Sequence, residues 1–580
     1  MEKGLCRTLI YHSIPFELLI MGKWIVCSAW PYVNTIPHLG TFIHLLSADV
    51  YSRYLKLKGE QVVSVTGSDE HGTPIELEAI RRGVSPKTIT DRYHHAILTL
   101  LERYDVKFDN YTRTENPVHI EVVQSIFKKI YDNGYVFSQE VTLPYCERCG
   151  RYLPDRFIEG ECPQCHFEAA KGDQCDQCGI VLEPSDLINP HCVFCGLKPT
   201  SRKSKHWFFD LPKFADRLEE YLNSNPQLPE NARNFSYRWL RDGLKARAAT
   251  RDNRWGIPAP FPGAEGKTIY VWLEAVLGYV SATVEWSRRM GDPEQWKRFW
   301  FGRDTKSVYF IGKDNIPFHT IIFPALLMAS GDEYVLPWQV SSTEFILYES
   351  QKFSKSRRVG VWVDEALEIA EAEYWRYVLI ALRPEAKDAN FTWKEFQSKI
   401  NVDLNDVLGN FVFRTLSFIK SRYNSKIPRR WQIRDSDREI IKLIEESPRK
   451  IGELMDKVRL RDAVSEVIGM ARKGNQYLSA NEPWHKLKNE PQSAETTLNL
   501  CGQLIHSLSI LLWPFMPKTA ETIRKQLSLK PAEEARWDDA GELKLEEGHS
   551  IEAVQPIFRK INLEELKVKV DEAKRKRFEG

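Results

Sequence analysis

Four Cys-x-x-Cys turns lie within about fifty residues in the first half of the chain, and glycines or prolines flank most of them. Each turn presents two thiolates to one ion, and two turns complete a tetrahedral zinc site whose positions are all occupied by sulfur. Such a site is closed to water, so its expected role is to fold a small lobe. The cysteine pattern therefore predicts a lobe built around two structural Zn²⁺ ions.

Spacing alone leaves open which turns share an ion. The grouping that we carry forward pairs the inner turns as zinc 1 and the outer turns as zinc 2: Cys162, Cys165, Cys175 and Cys178, then Cys146, Cys149, Cys192 and Cys195. The three isolated cysteines, Cys6, Cys27 and Cys501, are expected to be small core residues or bystanders. Paired cysteines in a large chain without a cleavage-site pattern favour metal over disulfides, and hence a reducing cytoplasm.

Strand and helix patterns on both sides of the cysteines predict one nucleotide-binding fold that the cysteine segment interrupts. "KWIVCSAW" and "QVVSVTGS" are typical of buried strands, and "TFIHLLSADVYSRYLKLKG" between them has helical spacing. The pattern resumes with "TIYVWLEAVLGYV" and "SVYFIGKDNIPFH". Ligands of parallel α/β sheets bind at the carboxyl ends of the strands, so the loops "HLGT" and "GSDEHGTP" are the predicted site.

The predicted fold class is α/β: a split Rossmann-like nucleotide-binding domain with a zinc-knuckle insertion, followed by an α-helical bundle. The expected segments are 22–114 and 259–345 for the two halves, 115–258 for the insertion with knuckles at 146–195, 346–395 for a loop region, 396–540 for the bundle and 541–580 for a linker and helix. Residues 1–21 are expected to be an over-extended start, with Met21 as the true first residue, or a short flexible arm.

Charge and hydropathy limit the partners. The formal net charge is only +2, so any nucleic acid must be held by local patches and not by the average charge. No run of about 18 apolar residues occurs, and no membrane span is expected.

A second polar loop, "KFSKS" from Lys352 to Ser356, follows "HLGT" by about 310 residues. Its two ammonium groups can stabilise the charge that develops on a leaving pyrophosphate, and stabilisation confined to the transition state raises turnover. Alone, such a string is usually a solvated loop. Its position at the exit of the resumed nucleotide fold favours the catalytic role.

Together these motifs resemble those of class I aminoacyl-tRNA synthetases, and more narrowly of methionyl-tRNA synthetases with knuckles in the insertion. The resemblance covers roughly residues 22 to 555 and includes "SAWPY" (28–32), "GSDEHGTP" (67–74), "YVWLEAVLGY" (270–279), "FIGKDNIPFH" (310–319), "LGNFVFRTLSFI" (408–419) and "NEPW" (481–484). It implies ATP-dependent activation of L-methionine to methionyl-adenylate, release of pyrophosphate, and transfer of methionine to tRNA(Met), initiator tRNA included.

The resemblance also implies an ATP site, with Mg²⁺ accompanying the nucleotide. His38 would contact the phosphates, Gly40 would let the adenine approach the backbone, and Asp314 would hold the ribose hydroxyls. The expected ATP-binding set is His38, Gly40, Thr41, Gly312, Asp314, Lys352, Ser354 and Lys355. The expected catalytic residues among them are His38, Gly40, Thr41, Lys352 and Lys355, with Lys355 making the main phosphate contact of its loop.

For methionine, the resemblance implies that Asp69 supplies the counter-charge for the substrate ammonium, which needs one once it is removed from water. The other expected pocket residues are Ala29, Trp30, Tyr32, Trp272, Ala275, Tyr279, Phe318 and His319. Aromatic walls suit a polarizable thioether. For any one of these aromatic residues, ordinary core packing is the alternative interpretation.

The chain departs from the family pattern at two positions. Val276 stands where the family commonly has proline, which puts only the local backbone in doubt. Thr41 replaces the second signature histidine, and its hydroxyl is shorter and never cationic. We hypothesise that His44, on the same helical face, compensates through a water or a shifted phosphate; a plain surface histidine is the alternative. We expect "HLGT" to be a working variant.

In the bundle, the resemblance implies that Asn410, Arg414 and Trp484 bind the unpaired bases of the CAU anticodon, because loop bases can be splayed out and read by side chains. The chain ends soon after the bundle, without the OB-fold domain that some relatives append. The expectation is therefore a monomer, with such a tRNA-binding domain supplied by a separate protein.

Other class I synthetases are the nearest alternatives. Those for isoleucine, valine and leucine need a much larger editing insertion than residues 115–258 allow, and the cysteine enzyme keeps an open zinc in its pocket. A non-catalytic RNA-binding protein on the same scaffold is supported only by Thr41. A zinc-ribbon nucleic-acid module explains the cysteines but not the strand-end loops.

Overall fold

A computed structural model of the chain describes residues 22–173, 175, 177–178, 180, 182–353 and 359–579. The segment 1–21, with the alternative start at Met21, lies outside the described residues, as do Ser354 and Lys355.

The strands fall into one parallel sheet and several small sheets. In chain order they are β1 (Lys23–Ser28), β2 (Gln61–Ser68), β3 (Asn110–Arg113), β4 (Val136–Cys146), β5 (Arg151–Tyr152), β6 (Ile158–Glu161), β7 (Ala170–Lys171), β8 (Ile188–Cys192), β9 (Thr200–Phe209), β10 (Arg247–Ala248), β11 (Thr250–Arg251), β12 (Thr268–Ile269), β13 (Thr305–Gly312), β14 (Gln339–Thr343), β15 (Ile346–Tyr348) and β16 (Ala389–Phe391).

The helices cover the sheet and build the second half of the chain. They are α1 (Leu39–Leu57), α2 (Thr73–Arg82), α3 (Pro86–Arg103), α4 (Pro117–Asp132), α5 (Ala215–Ser224), α6 (Glu230–Arg241), α7 (Val271–Glu274), α8 (Gly278–Arg289), α9 (Gln295–Trp300), α10 (Phe323–Ala329), α11 (Val363–Ile369), α12 (Ala372–Ala381), α13 (Trp393–Ser398), α14 (Asn410–Arg422), α15 (Asp435–Asp456), α16 (Leu460–Asn481), α17 (Pro483–Lys486), α18 (Pro491–Leu511), α19 (Pro517–Gln526) and α20 (Leu563–Glu579).

The central sheet has five parallel strands in the order β14-β13-β1-β2-β3. Strands covered by helices on both faces are apolar along their whole length, and β1 is buried from Trp24 to Ser28. The strand order reverses between β1 and β13, so the carboxyl ends of these two strands form a topological switch point. Doubly wound sheets bind their ligands at such a point.

The insertion leaves the sheet as a long antiparallel ribbon. Strand β4 pairs with β9 from Val136 opposite Phe209 to Tyr145 opposite Thr200. At its tip a small three-stranded sheet, β7-β6-β8, carries the cysteine turns. We call residues 146–195 the knuckle lobe.

The second half of the chain is helical. Helices α14 to α19 form a bundle whose apolar core is continuous with α1 and α12 of the α/β part. A buried charged joint fixes this contact: the Arg376 guanidinium donates to the Asp49 carboxylate at 2.7 Å and to the carbonyl oxygens of Pro514 and Phe515. The predicted fold class is confirmed. No helix of the described residues combines the length and the apolar character needed to cross a bilayer.

Candidate active site

A cleft of about 600 Å³ opens at the switch point, where β1, β2, β13 and β14 end. It brings together all the described residues that the sequence assigned to ATP and methionine: Ala29, Trp30, Tyr32, His38, Gly40, Thr41, Asp69, Trp272, Ala275, Tyr279, Gly312, Asp314, Phe318, His319 and Lys352. Because these residues come from both halves of the split domain, only the folded chain assembles the cleft.

His38 is the N-cap of α1 at the floor of the cleft. Its Nδ1 accepts a hydrogen bond from the Thr41 backbone N–H at 3.2 Å, and its ring stacks on Phe353 with 4.7 Å between centroids. Burial lowers the pKa of His38 to about 4. The ring is therefore neutral near pH 7, and since Nδ1 accepts, Nε2 carries the proton that can be donated to a ligand.

The residues that follow His38 are closely packed. A Cβ atom at Gly40 would lie 3.1 Å from the His38 ring and from Ile346, which is tighter than side chains normally pack. His44 lies in the cleft, with Nε2 at 2.8 Å from the Thr343 hydroxyl, so it is not an open surface residue. Burial lowers the pKa of His44 to about 3, and this ring is also neutral.

Two lysines flank Phe345 on the opposite wall. The Lys313 ammonium lies 3.9 Å and the Lys352 ammonium 4.9 Å from the Phe345 ring centroid. Lys313 also pairs with Glu344 at 2.7 Å. Burial raises the pKa of Asp314, although both lysines oppose the shift. Because Lys313 is paired with Glu344 and Asp388, the lysine that brings positive charge to the lining of the cleft is Lys352, near the Asp314 carboxylate.

Aromatic residues form the other end of the cleft. The rings of Trp272 and Phe318 stack at 4.7 Å, with Trp272 at the mouth. Tyr279 donates its hydroxyl to His319 Nε2 at 2.8 Å, and His319 Nδ1 lies 2.9 Å from the Asn315 carbonyl. A π-helical turn, Phe318–Ile322, carries this histidine, and such turns are frequent at functional sites.

Asp69 lies at the end of β2, beside the aromatic wall. Its Oδ1 has no hydrogen-bond partner within the described parts of the chain, and burial together with Glu274 raises its pKa. Trp30 Nε1 is also buried without a partner there. A carboxylate in this setting is matched to a cationic ligand, because a cation restores its ionised form.

Three residues that the sequence did not indicate also line the cleft: Asp155, Arg156 and Asp173. All three belong to the knuckle lobe, and Arg156 pairs with Asp173 at 3.1 Å. The only sequence signal is the charged pair in "LPDRF" just after the first cysteine turn. Nothing in the spacing of the cysteines indicates that the lobe folds back onto the sheet.

The eight paired cysteines form two groups, one of Cys146, Cys149, Cys192 and Cys195 and one of Cys162, Cys165, Cys175 and Cys178. Within each group the sulfur atoms lie within 4.8 Å of one another, with closest pairs from 3.4 to 3.9 Å. Four sulfurs at about 2.3 Å from one Zn²⁺ would be about 3.8 Å apart. Both donor sets fit a tetrahedral Zn²⁺ site.

A separate cluster lies on the helical bundle. Arg414, one turn after the exposed Asn410 in α14, places its guanidinium 5.4 Å from the Trp484 ring centroid. Trp484 is half-buried and packs against the apolar core of the bundle, which holds its indole ring in place.

A Rossmann-like cleft with the His38 loop at the start of α1, joined to a helical bundle, is the arrangement expected of a class I aminoacyl-tRNA synthetase. Two family models match the chain: the class I tRNA synthetases of the methionine type over residues 24–416, and the anticodon binding domain of methionyl tRNA ligase over residues 427–580.

Curated relatives match nearly the whole length. The methionine–tRNA ligase of Korarchaeum cryptofilum is 51% identical over 94% of this chain and 96% of its own, and that of Thermofilum pendens is 50% identical over 95% and 97%. Among solved structures, Mycobacterium tuberculosis methionyl-tRNA synthetase in complex with methionyl-adenylate shares the fold, with a TM-score of 0.78, 23% identity, and coverage of 93% of this chain and 100% of that one. The chain belongs to the methionyl-tRNA synthetase family.

Proposed function

We propose that the chain is a methionine–tRNA ligase that forms methionyl-adenylate in the cleft at the switch point and then transfers methionine to tRNA(Met). The observation that carries this proposal is that three features line one cleft: the "HLGT" loop at the start of α1, the Asp69 carboxylate expected to bind the substrate ammonium, and the aromatic wall that includes Trp272 of α7. Membership of the family supports the same reaction.

The first step joins a carboxylate oxygen of methionine to the α-phosphorus of ATP, and the bond from that phosphorus to the bridging oxygen of pyrophosphate breaks. The protein needs no covalent nucleophile, because positioning and charge stabilisation supply the catalysis. His38 donates from Nε2, and Lys352 adds positive charge on the facing wall, while Mg²⁺ arrives with ATP as part of the substrate. The expected roles of Ser354 and Lys355 fall outside the described residues.

Methionine lies with its ammonium on Asp69 and its side chain between Trp272, Phe318 and Tyr279. Among the described residues Asp69 Oδ1 has no hydrogen-bond partner, which supports this orientation, since a buried carboxylate in that state is stabilised by a cation. The thioether then meets polarizable rings. In the second step, the terminal ribose hydroxyl of the tRNA attacks the methionyl carbonyl, and AMP leaves.

The two cysteine groups hold two Zn²⁺ ions, which fold the knuckle lobe. With four sulfur ligands each, they leave no position for water, so their chemistry is structural. The lobe positions Asp155, Arg156 and Asp173 at the cleft.

Asn410, Arg414 and Trp484 read the anticodon. The Arg414–Trp484 pair supports this role, because an indole backed by a guanidinium offers a stacking face to an unpaired base. We also propose that His44 compensates for Thr41. Two observations support this role: His44 lines the same cleft, and its Nε2 is held by a hydrogen bond to the Thr343 hydroxyl.

The experiment is methionine-dependent exchange of labelled pyrophosphate into ATP by the purified chain, followed by charging of a tRNA(Met) transcript. We expect exchange only with methionine, its loss in Asp69→Asn, and its retention in Asp304→Asn, an exposed carboxylate at the amino end of β13. No exchange with any amino acid, or exchange that depends on another one, would contradict the function. Full exchange in Asp69→Asn would contradict only the assigned role of Asp69.

We also propose that the enzyme works as a cytoplasmic monomer, with a separate OB-fold protein as a tRNA-binding partner. Large exposed apolar residues such as Met290, Val402 and Val568 lie on different elements, as in a monomer, and unpaired thiolates need a reducing compartment. Light scattering should give 67.4 kDa; twice that mass would contradict the monomer.

A further inference from the structure

His71 is a fully buried histidine with a carboxylate at each ring nitrogen. Nδ1 lies 2.7 Å from Glu274 and Nε2 lies 2.7 Å from Glu115. The side chains of His71 and Glu274 are 1% and 0% exposed. An ionised carboxylate only accepts hydrogen bonds, so both ring nitrogens must donate, and a ring that donates from both nitrogens is an imidazolium.

This imidazolium links two walls of the amino-acid end of the cleft. His71 follows Asp69 by two positions in the chain, and the His71 backbone carbonyl accepts a hydrogen bond from the Tyr32 hydroxyl at 2.8 Å. Glu274, its ring partner, belongs to α7 between Trp272 and Ala275. One side chain therefore joins the loop that carries Asp69 to the helix that carries the aromatic wall.

The charges around Asp69 show why a cation is needed there. Burial and Glu274 both raise the pKa of Asp69, whereas His71 lowers it. Burial would lower the pKa of His71, but Glu274 and Glu115 together raise it to about 10. The other groups that face this network are Glu70 in the same loop, which pairs with Arg113 at 2.8 Å, His119 of α4 at 3.3 Å from Glu274, Arg156 of the knuckle lobe, and the hydroxyls of Tyr32 and Tyr279.

Burial would also raise the pKa of Glu274, but His71 and His119 hold it below its ordinary value. His119 can donate from Nε2 to Glu274 while its Nδ1 accepts from the Ser281 hydroxyl, and burial lowers its pKa, so this ring is neutral. Among the described groups around Glu274, His71 is the one whose two partners both require a positive ring.

We propose that His71 is a positioning residue for methionine: as a buried imidazolium it neutralises Glu274, so that the substrate ammonium alone can restore the ionised form of Asp69. This inference rests on the proposed function, since it assigns to Asp69 the methionine ammonium. His71 touches neither substrate; it acts through Asp69, Glu274 and Tyr32.

The test is a double-mutant cycle on the full chain with His71→Gln, Glu274→Gln and the double variant, assayed by pyrophosphate exchange between about pH 6 and 9. In His71→Gln, Glu274 is left uncompensated and Asp69 takes up a proton more readily. We expect the KM for methionine to rise by about tenfold, corresponding to one unit of pKa, and to rise further as the pH falls. The KM for ATP should stay unchanged.

The double variant should recover much of the methionine affinity, because two amides can hydrogen-bond to each other and the remaining carboxylate, Glu115, is partly exposed to water. A side chain that only filled space would give losses that add and do not vary with pH. Equal rises in the KM for methionine and for ATP, or no recovery in the double variant, would overturn the proposal.

His206→Gln is the matched control. His206 is equally buried and bonds Asp252 at 2.8 Å, but it lies in the insertion, away from the cleft. It should lower the melting temperature as His71→Gln does, with no change in the KM for methionine. A rise in that KM equal to the rise in His71→Gln would overturn the proposal.

If His71→Gln does not fold, ¹⁵N spectra of the wild-type chain labelled at histidine decide the point. We expect one histidine with both ring nitrogens protonated up to about pH 8, and a neutral ring at every histidine at that pH would overturn the proposal. Failure of the proposed function looks different, because wild-type exchange would then not depend on methionine.

Discussion

The knuckle lobe and the helical bundle are held together by different means. The lobe has short strands of two to five residues, and four of its buried core side chains are cysteines: Cys146, Cys162, Cys175 and Cys192. The bundle has helices of up to 22 residues on one large apolar core. The fold of the lobe therefore depends on its two cysteine groups, each of which could hold a metal ion, whereas the bundle depends on apolar burial.

The comparison also shows how a closed metal site can matter for catalysis. No ligand position in either cysteine group is free for substrate, yet the lobe places Asp155, Arg156 and Asp173 at the cleft. The bundle reaches the same cleft by another route, through α1, whose N-cap is His38 and whose Tyr54 hydroxyl donates to Asp456 of the bundle at 2.7 Å.

The largest effect should come from Cys162→Ser. A structural zinc contributes about 10–16 kcal/mol in zinc-finger peptides, so loss of one thiolate should unfold that half of the lobe. We expect one bound zinc in place of two, by elemental analysis, and a loss of pyrophosphate exchange. Cys501→Ser is the control, because Cys501 is a buried cysteine of α18 outside both groups. A loss of bound zinc in Cys501→Ser would contradict the assignment of zinc to the two cysteine groups of the lobe.

The second-largest effect should be a loss of stability when the buried charged joint between the bundle and the α/β part is broken at Arg376. Arg376→Met removes one of the two cations that pair with buried Asp49, the other being Arg53, and leaves the carbonyls of Pro514 and Phe515 without this donor. Breaking a buried pair costs about 3–5 kcal/mol, and since Arg53 remains we expect the lower end of that range. Urea unfolding should show this loss with the zinc content unchanged. Arg438→Met, at an exposed pair with Asp435, should cost about 0–1 kcal/mol; equal losses in the two variants would contradict the joint.

A smaller and more specific effect is expected at the anticodon cluster. Trp484→Ala should weaken tRNA(Met) charging by about 1–3 kcal/mol in kcat/KM, the range for one base stacked on an aromatic ring. Pyrophosphate exchange should not change, because Trp484 is remote from the cleft. Equal loss in the two assays would mean that Trp484 serves the bundle core only.

The smallest effect concerns pH. Burial lowers the pKa of His38 to about 4 and of His44 to about 3, below the ordinary value. Between about pH 6.5 and 4 the unfolded chain therefore binds protons that the folded chain does not, and stability falls as the pH falls through this window. His44→Gln should reduce this dependence of the melting temperature on pH. An unchanged slope would show that His44 takes up its proton at the same pH in the folded and unfolded chains.

Much of the fold could be predicted because the patterns are local. Apolar runs that end in polar loops define β1 and β2, and α1 follows from helical spacing between them. The grouping of the cysteines could not be derived from spacing, because it depends on how β6 pairs with β7 and β8. The joint at Arg376 and the roles of Asp155 and Arg156 depend on contacts between distant segments, for which the sequence carries no periodic signal.

A crystal structure of the chain with methionine and a non-hydrolysable ATP analogue would test the central claim most directly. We predict both ligands in one cleft, with the methionine ammonium on Asp69 Oδ1 and the phosphates within reach of His38 Nε2. Methionine and nucleotide in separate sites, or a cleft occupied by neither, would contradict the account.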